Sequence, residues 1–275
     1  MQIRDKTFVV TGAGNGMGRE VTLEILARGG RVAGLDIKSD WLVETRRLAG
    51  ANESRFMAVP LDITDRKKVL SLPPRVEKKL GPVDGIINVA GIIQPFVRIN
   101  DLNFEAIDRV INVNLYGPLT IIKAFLPGLV KRPDAHIVNV SSMGSYAPVP
   151  GQTLYGATKA ALNLLSEGLR SELRGTNVHV TVIYPGAIGT NIAANSGLTM
   201  AGSEEASTRK VVDPKDAGAA IVDALHQNKK RIRIGADATT MWHLNHLSPD
   251  LASSLIYNGM KDLLPPSASS TSSAV

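Results

Sequence analysis

A glycine-rich turn near the amino terminus constrains the fold of this chain more than any other feature. The run Thr11-Gly12-Ala13-Gly14-Asn15-Gly16-Met17-Gly18 follows the apolar residues 7–10 and opens residues 16–28, whose apolar side chains recur at helical spacing. Glycine permits a sharp exit from a strand and a close approach of the backbone to a ligand. The free N–H groups and the positive dipole end of the helix favour an anion. The run therefore predicts a strand–turn–helix unit with a dinucleotide pyrophosphate site at its turn.

The rest of the chain alternates short apolar segments with amphipathic ones. Strands are predicted over residues 7–10, 31–35, 55–59, 84–89, 136–140, 178–184 and 231–234. Helices are predicted over residues 16–28, 41–48, 64–80, 104–129, 153–174 and 214–225. Pro73-Pro74 divides the third of these helices, and Pro118 is expected to bend the fourth or to begin a second segment. Short apolar strands between helices predict an α/β fold, a Rossmann-type doubly wound parallel sheet of about seven strands with helices on both faces.

The length of 275 residues suits one domain. We expect residues 1–264 to form a single dinucleotide-binding and catalytic domain. Within it, residues 236–264 are expected to form a C-terminal extension of one or two amphipathic helices, broken at Pro249. Residues 265–275 are rich in Ser, Ala and Thr and are expected to be a disordered tail.

Composition argues against several classes of function. The chain has no cysteine, so it forms neither disulfides nor thiolate metal sites. His243 and His246 could share a metal ion, but without a third ligand they do not predict a metal site. The net charge is +6, from 31 basic and 25 acidic residues. The basic residues are scattered and only 4% of residues are aromatic, which argues against a nucleic-acid partner.

The sequence gives no sign of a membrane location. No apolar run is long enough to cross a bilayer, and residues 1–6 are not followed by the apolar core of a secretory signal. The extension over 236–264 lacks the dense Lys/Arg face of a membrane-surface helix. A cytoplasmic location is therefore expected.

Asp36 ends the second predicted strand, downstream of the glycine turn. A carboxylate at this place can accept hydrogen bonds from the ribose diol of an adenosine, and it repels a 2′-phosphate. The glycine turn contains no arginine; Asn15 stands there instead. NAD is therefore favoured over NADP, although Lys38 lies close enough to oppose this preference.

Tyr155 and Lys159 lie four residues apart on a predicted helix, and therefore on one face of it. The lysine ammonium is expected to favour the phenolate and to lower the pKa of the tyrosine. Such a tyrosine can give a proton to a ketone or take one from an alcohol. Ser142, after the fifth predicted strand, can hold the same oxygen by a hydrogen bond.

These motifs together resemble the short-chain dehydrogenase/reductase family, and the Thr-Gly-x-x-x-Gly-x-Gly form resembles its shorter, single-domain branch. Leu61-Asp62-Ile63 is similar to the family's adenine-contacting segment. Asn88-Val89-Ala90-Gly91 resembles its Asn-Asn-Ala-Gly run, except that Val89 replaces the second Asn and puts one strand-stabilising contact in doubt. Asn112-Val113-Asn114-Leu115 resembles the segment with the catalytic Asn. Tyr184-Pro185-Gly186, with Thr190, resembles the segment that closes over the nicotinamide.

The resemblance implies roles for individual residues. The implied catalytic residues are Asn114, Ser142, Tyr155 and Lys159. Lys159 would also hold the nicotinamide ribose, and Asn114 would orient a water that links Lys159 to solvent. The implied cofactor-binding residues lie along the carboxyl end of the sheet: Gly12, Asn15, Gly16, Met17, Gly18, Asp36, Ile37, Asp62, Ile63, Asn88, Ala90, Gly91, Tyr155, Lys159, Pro185, Gly186, Ile188 and Thr190.

The loop from Gly186 to about Lys210 is the substrate loop by the same resemblance. Its first half has no arginine cluster, which argues against a strongly anionic substrate. The candidate substrate walls are mainly apolar: Ser142, Met143, Tyr155 and Ala187, with Ile92, Ile93 and Gln94 opposite. A neutral secondary alcohol or its ketone is therefore expected.

The apolar side chains of the extension can be interpreted in three ways: as packing on the body or on a neighbouring subunit, as a cover over an apolar substrate, or as a membrane-surface contact. Family members usually pair through the helices that correspond to residues 104–130 and 153–174. The resemblance therefore implies a homodimer or a homotetramer.

Three functions remain open from the sequence. The first is an NAD(H)-dependent oxidoreductase acting on CH–OH groups, with Tyr155 as general acid/base. The second is a non-catalytic nucleotide-binding scaffold, whose signature would be the loss of the Ser, Tyr or Lys; all three are present. The third is a lyase or epimerase of the same family, which would carry the extended glycine pattern and a longer substrate domain, both absent here.

Overall fold

The computed structural model describes residues 1–197 and 211–264 of the chain. Their central feature is a parallel seven-stranded sheet with the order β3-β2-β1-β4-β5-β6-β7. The strands are β1 (Thr7–Thr11), β2 (Arg31–Asp36), β3 (Phe56–Pro60), β4 (Gly85–Asn88), β5 (Ala135–Val140), β6 (Val178–Pro185) and β7 (Arg231–Ile234). This confirms the doubly wound parallel sheet expected from the sequence.

Helices connect the strands and cover both faces of the sheet. They are α1 (Gly16–Ala27), α2 (Ser39–Ala49), α3 (Arg66–Leu70), α4 (Leu72–Leu80), α5 (Phe104–Ile111), α6 (Gly117–Leu129), α7 (Thr153–Glu172), α8 (Ile192–Asn195), α9 (Pro214–His226), α10 (Ala236–Leu247) and α11 (Pro249–Met260). Among the described residues, no helix is both long enough and apolar enough to span a bilayer.

The apolar strands are explained by burial on both faces. Every residue of β1 is buried. Phe8 and Val10 belong to the core beneath α1 and α9, whereas Val9 belongs to the core on the opposite face. This alternation is the two-residue period of a strand, and because both faces are covered the strand is apolar throughout.

The sheet topology creates a crevice at its carboxyl end. From β1 the chain passes to β2 and β3 on one side, and it then returns to β4 on the other side of β1. The connections after β1 and β4 therefore diverge, and ligands of open α/β sheets bind in such a crevice. The pairs Thr11–Asn88 and Asn88–Asn139 align the ends of β1, β4 and β5 at this edge.

The predicted helix over 104–129 is interrupted, and of the two alternatives for Pro118 the structure supports the one in which it begins a second segment. A π-helical turn, Asn112–Tyr116, separates α5 from α6. Pro118 lies in the first turn of α6, where a missing N–H costs little. Gly117 allows a close approach at this point, because a Cβ there would lie 2.6 Å from Cδ1 of Ile63.

The extension forms two helices, α10 and α11, which meet at Pro249 as predicted. Trp242 of α10 packs on the body of the protein, with ring centroids 5.2 Å from Tyr146 and 6.0 Å from Tyr184. Leu247, near the junction of the two helices, is exposed. Packing on the body is therefore the interpretation that the contacts of α10 support. The tail predicted over 265–275 lies outside the described residues.

Candidate functional site

A cavity of about 490 Å3 opens at the carboxyl end of the sheet, beside β1 and β4. It is bounded by the glycine turn, the ends of β2 and β3, the loop after β4, the π-helical turn and residues near α8. Its walls contain twelve of the residues that the sequence analysis assigned to a cofactor: Gly12, Asn15, Gly16, Met17, Gly18, Asp36, Ile37, Asp62, Ile63, Ala90, Gly91 and Thr190.

The glycine turn is shaped for close approach. Gly12 and Gly16 adopt positive φ angles of 69° and 51°, which other residues rarely adopt. A Cβ on Gly18 would collide with the carbonyl oxygen of Gly12, so α1 can start this close to the strand only with glycine. The side chain of Asn15 accepts the Gly16 N–H at 2.8 Å and caps α1. The first turn of α1 faces the cavity with the remaining N–H donors of a helix start.

Asp36 is held rigidly at the cavity wall. Its two carboxylate oxygens accept the N–H groups of Gly14 and Lys38, each at 3.0 Å. The ammonium of Lys38 lies 4.8 Å from the ring centroid of Trp41, on α2. The oxygens of Asp36 keep further lone pairs for a ribose diol, so this wall fits the adenosine end of a dinucleotide.

Arg19 is a basic residue near this wall that the sequence analysis did not consider. Its guanidinium donates to the carbonyl oxygen of Gly14 and, at 3.2 Å, to Oγ1 of Thr45. Arg19 lies one turn into α1. Helical spacing, counted from the glycine turn, could have indicated that this residue lies near the same wall. Other lining residues that the sequence analysis did not assign to the site are Trp41, Thr64 and Arg109; Ile192 and Asn195 belong to the predicted substrate loop.

Asn88 was expected to bind the cofactor, but it does not line the cavity. It makes a structural contact between two strands instead. It is buried in β4, and its Nδ2 donates to Oδ1 of Asn139 on β5 at 2.8 Å. Thr11 accepts the N–H groups of Val89 and Ala90, both at 3.1 Å. The strand ends are thus joined without a second asparagine at position 89. Other implied cofactor-binding residues also lie outside the cavity lining: Tyr155, Lys159, Pro185, Gly186 and Ile188.

Asn114 lies in the π-helical turn, and its side chain is fully buried. Its Oδ1 accepts the Ile92 N–H and its Nδ2 donates to the Ile92 carbonyl, both at 2.9 Å. Nδ2 also lies 3.2 Å from Oγ1 of Thr158. The side chain therefore clamps the loop after β4 onto α7, and its role in orienting a water remains a prediction.

Ser142, Tyr155 and Lys159 come together beside this loop. Ser142 follows β5; its hydroxyl accepts the Gly144 N–H at 3.0 Å and favours the ionised form of the Tyr155 phenol. Lys159 is buried on α7; its Nζ lies 5.9 Å from the ring centroid of Tyr155 and donates to the Val140 carbonyl at 3.0 Å. Nζ is also 3.1 Å from where a Cβ on Gly91 would lie, which connects the group to the cavity wall.

Burial dominates the electrostatics of this group. It raises the pKa of Tyr155 above its ordinary value, against the smaller lowering effect of the Ser142 hydrogen bond. It also lowers the pKa of Lys159 to about 8. The sequence-based expectation of a lowered tyrosine pKa is therefore wrong for the protein without ligand, because desolvation of the phenolate outweighs its neighbours.

Gln94 was expected to line the substrate wall, but the structure places it at the start of α7. It is fully buried, and its Oε1 accepts the N–H groups of Leu154 at 2.8 Å and of Tyr155 at 3.0 Å. It thereby caps the start of α7 from the loop after β4. Gln152 reinforces this contact, because its Nε2 donates to the Gln94 carbonyl at 2.7 Å.

Residues 186–197, here called the cover segment, run from the end of β6 across the cavity. The side chain of Thr190 lies 3.2 Å from where a Cβ on Gly16 would be. Asn195 accepts from Nδ2 of Asn15 at 3.4 Å, and Ser196 accepts the Ile93 N–H at 3.0 Å. The second half of the predicted substrate loop, residues 198–210, lies outside the described residues.

Comparison of the sequence with known proteins identifies a family that this chain matches. The sequence model of the family described as short chain dehydrogenase matches residues 6–201. A protein of Mycobacterium tuberculosis named as an oxidoreductase, SadH, is 32% identical over 270 residues, which cover 94% of this chain and 97% of that protein. An uncharacterized oxidoreductase of Staphylococcus saprophyticus is 31% identical over 228 residues, which cover 82% and 94%.

Solved structures agree. A short-chain dehydrogenase from Streptomyces avermitilis is 29% identical with a TM-score of 0.77, and the match covers 92% of this chain and 98% of that one. A short-chain dehydrogenase/reductase from Burkholderia phymatum in complex with NAD is 22% identical with a TM-score of 0.80, and the match covers 91% and 96%. The latter likeness is one of fold.

Proposed function

The chain belongs to the short-chain dehydrogenase/reductase family, and we propose that it transfers a hydride between NAD(H) and a neutral, apolar secondary alcohol or ketone. At the level of the family, it is an oxidoreductase that binds a nicotinamide dinucleotide. The proposal adds the cofactor preference, the substrate class and the role of Tyr155 as general acid/base.

One observation carries the proposal. Ser142, after β5, meets Tyr155 and Lys159 of α7, and Nζ of Lys159 lies beside Gly91, which lines the cavity. A half-buried phenol beside a buried amine carries a desolvation cost that packing alone does not require. Such a group at the edge of a ligand cleft supports catalysis.

The residues then have distinct tasks. A bound nicotinamide supplies or accepts the hydride. The raised pKa of Tyr155 keeps its proton in place at neutral pH, so that the phenol can donate it to the carbonyl oxygen of a ketone. The hydroxyl of Ser142 can hold that oxygen next to the phenol. In the direction of alcohol oxidation the phenolate, stabilised by the positive charge of Lys159, accepts the proton of the alcohol.

The preference for NAD depends on Asp36. Its carboxylate is fixed by two backbone N–H groups at the cavity wall, where a 2′-phosphate would meet a negative charge. Lys38 is turned onto Trp41, which weakens the opposing argument from that lysine. Structural relatives in complex with NAD and with NADP are 22% and 24% identical, so the choice is argued from Asp36 alone.

The substrate class follows from the walls near Tyr155. Ile92 lines the cavity, Ile93 follows it in the loop after β4, and Met143 directly follows Ser142 in the sequence. A strongly charged substrate would lose its hydration there without a paired charge in return. We therefore propose a neutral and largely apolar alcohol or ketone.

We also propose a homodimer or homotetramer in the cytoplasm, formed by the single domain 1–264. Phe104 on α5 is 79% exposed and Leu164 on α7 is 73% exposed, and large apolar side chains at such exposure favour a protein partner. Light scattering of the purified protein tests this assembly; a monomer at micromolar concentration would refute it.

The central experiment is a screen of secondary alcohols and ketones, following the absorbance of NADH. Tyr155→Phe is expected to lower kcat by about two to four orders of magnitude while NADH binding survives. Tyr257→Phe is the matched control, since Tyr257 lies on α11 and is 53% exposed. Full activity of Tyr155→Phe would remove the proposed acid/base, and turnover with NADPH alone would remove the proposed cofactor.

A further inference from the structure

The carboxylate of Asp237 reaches from the C-terminal extension to the start of the cover segment. Asp237 lies in the first turn of α10 and is half-buried. Its Oδ2 accepts the Ala187 N–H at 2.7 Å. Ala187 follows Gly186, the first residue after β6.

The surrounding backbone leaves room for this carboxylate. A Cβ on Gly186 or on Gly235 would collide with it, so glycine at both positions keeps the space free. Gly235 has a φ of 102°, which directs the chain from β7 into α10. The contact is therefore enclosed by the fold and does not result from a freely moving surface side chain.

Ala187 lies at the start of the cover segment, where the backbone leaves β6. Gly186 donates to the Ile234 carbonyl at 2.8 Å, and Val212 donates to the Ala187 carbonyl at 2.9 Å. These bonds fix one side of the chain, and Asp237 binds the N–H of Ala187 beside them. Downstream, Thr190 lies against the glycine turn and lines the cavity.

The same helix also contacts the turn that follows Ser142. Tyr146 donates from its hydroxyl to the Ala238 carbonyl at 2.7 Å, and its ring packs against Trp242. Thus α10 is bound to two active-site segments at once, and its first turn forms both hydrogen bonds.

We propose that Asp237 is a positioning residue, which ties the C-terminal extension to Ala187 and thereby holds the cover segment over the cofactor cleft. The inference rests on the proposed function for its effect on NADH, but the tie itself concerns this chain alone. A first-turn aspartate also stabilises a helix through its dipole, wherever the helix lies. Asp250 separates the two effects, because it lies in the first turn of α11 and is exposed.

The first experiment measures hydrogen exchange of the protein without ligand by mass spectrometry, in peptides that contain Ala187. Loss of a hydrogen bond to a carboxylate should speed exchange there by about tenfold in Asp237→Ala. Asp237→Asn keeps an acceptor oxygen and should retain most of the protection, while Asp250→Ala should match the wild type. Unchanged exchange in Asp237→Ala, or equal acceleration in Asp250→Ala, would overturn the tie.

The second experiment measures NADH affinity by fluorescence titration, together with thermal unfolding. Asp237→Ala should bind NADH about tenfold more weakly, with Asp237→Asn close to the wild type and Asp250→Ala unchanged. If Asp237→Ala binds NADH like the wild type, the positioning role is refuted although the proposed function stands. If the wild type binds no dinucleotide, the proposed function fails, while the exchange experiment still decides on the tie.

Discussion

Oε1 of Gln94 lies 3.0 Å from the backbone nitrogen of Tyr155 and accepts its N–H. The same oxygen accepts the N–H of Leu154 at 2.8 Å. Helix α7 therefore begins on a side chain from the loop after β4, and that loop also forms the cavity wall at Gly91 and Ile92. Any shift of this loop moves the backbone that carries the proposed acid/base.

Gln94→Met is expected to lower kcat by about tenfold or more, because a small displacement of a reacting group is costly. It should also cost about 1 kcal/mol of stability, as the loss of a helix cap does. NADH affinity should change little, because Gln94 does not line the cavity. Steady-state kinetics, NADH titration and urea unfolding measure the three effects.

Two further variants sharpen this experiment. Gln94→Glu keeps both acceptor bonds but adds a negative charge near Tyr155, so the pH dependence of alcohol oxidation should move to higher pH. Gln227→Met, at the exposed end of α9, is the matched control. A wild-type kcat in Gln94→Met would show that α7 keeps its place without this cap.

The sheet could be predicted from the sequence because its physical cause is local. Strand β1 is buried throughout and β6 is buried at every residue except His179, so both are visible as apolar runs between helices. The glycine turn was predictable for the same reason, since Gly12 and Gly16 need positive φ and Gly18 needs the absence of a Cβ. Burial and backbone conformation leave a direct trace in residue type.

The remaining features depend on contacts between distant residues. Gln94 and Asp237 act on residues far along the chain, and nothing in the spacing of either connects it to Tyr155 or Ala187. The π-helical turn, Asn112–Tyr116, has no pattern of its own, since apolar spacing continues across it. The direction of the Tyr155 pKa depends on burial, which a sequence shows less clearly than the nearby Lys159.

The buried amine of Lys159 should make stability depend on alkaline pH. Burial lowers its pKa to about 8 in the folded state, from an ordinary 10.5. Between these values the unfolded chain binds more protons than the folded one, so the free energy of unfolding rises with pH. The contribution over the whole window is about 3 kcal/mol.

Urea unfolding of the wild type and of Lys159→Met at pH 8 and pH 10 measures this effect. The wild type should gain stability relative to the variant as the pH rises. Lys123→Met, on α6, serves as the control for removing a lysine that is exposed. Parallel pH profiles for the wild type and Lys159→Met would contradict a buried amine with a lowered pKa.

His136 should make the protein sensitive to acid. It is fully buried in β5, and burial, aided by the nearby His179, lowers its pKa to about 3 from 6.5. Thr181 donates its only hydroxyl proton to the Lys229 carbonyl, so it accepts from Nε2 of His136. A second proton on the ring would bury a charge.

In this pH range the unfolded chain binds the proton on His136 and the folded chain does not. The free energy of unfolding therefore falls as the pH falls from about 6.5 toward 3. The loss approaches about 5 kcal/mol at the lower end of the window. In His136→Gln the decline should be shallower, since glutamine can still donate to Thr181 and does not titrate. His243→Gln, at an exposed position, should decline like the wild type in unfolding measured at pH 6.5, 5 and 4.

The choice of cofactor should depend on the charge of Asp36. Asp36→Asn keeps the size of the side chain but removes the negative charge, and an amide can accept only one of the hydrogen bonds from Gly14 and Lys38. We expect NADH to bind about tenfold more weakly, because a bond to a charged acceptor is lost. NADPH should bind no more weakly than before, since repulsion of its 2′-phosphate is gone.

Fluorescence titration with both cofactors gives the ratio of the two dissociation constants, which is independent of small changes in protein quality. Asp40→Asn is the matched control, because Asp40 lies in the first turn of α2 and is exposed. The ratio should shift toward NADPH in Asp36→Asn and stay constant in Asp40→Asn. A wild type that prefers NADPH would mean that Arg19 or Lys38, and not Asp36, determines the charge that this wall presents to the ribose.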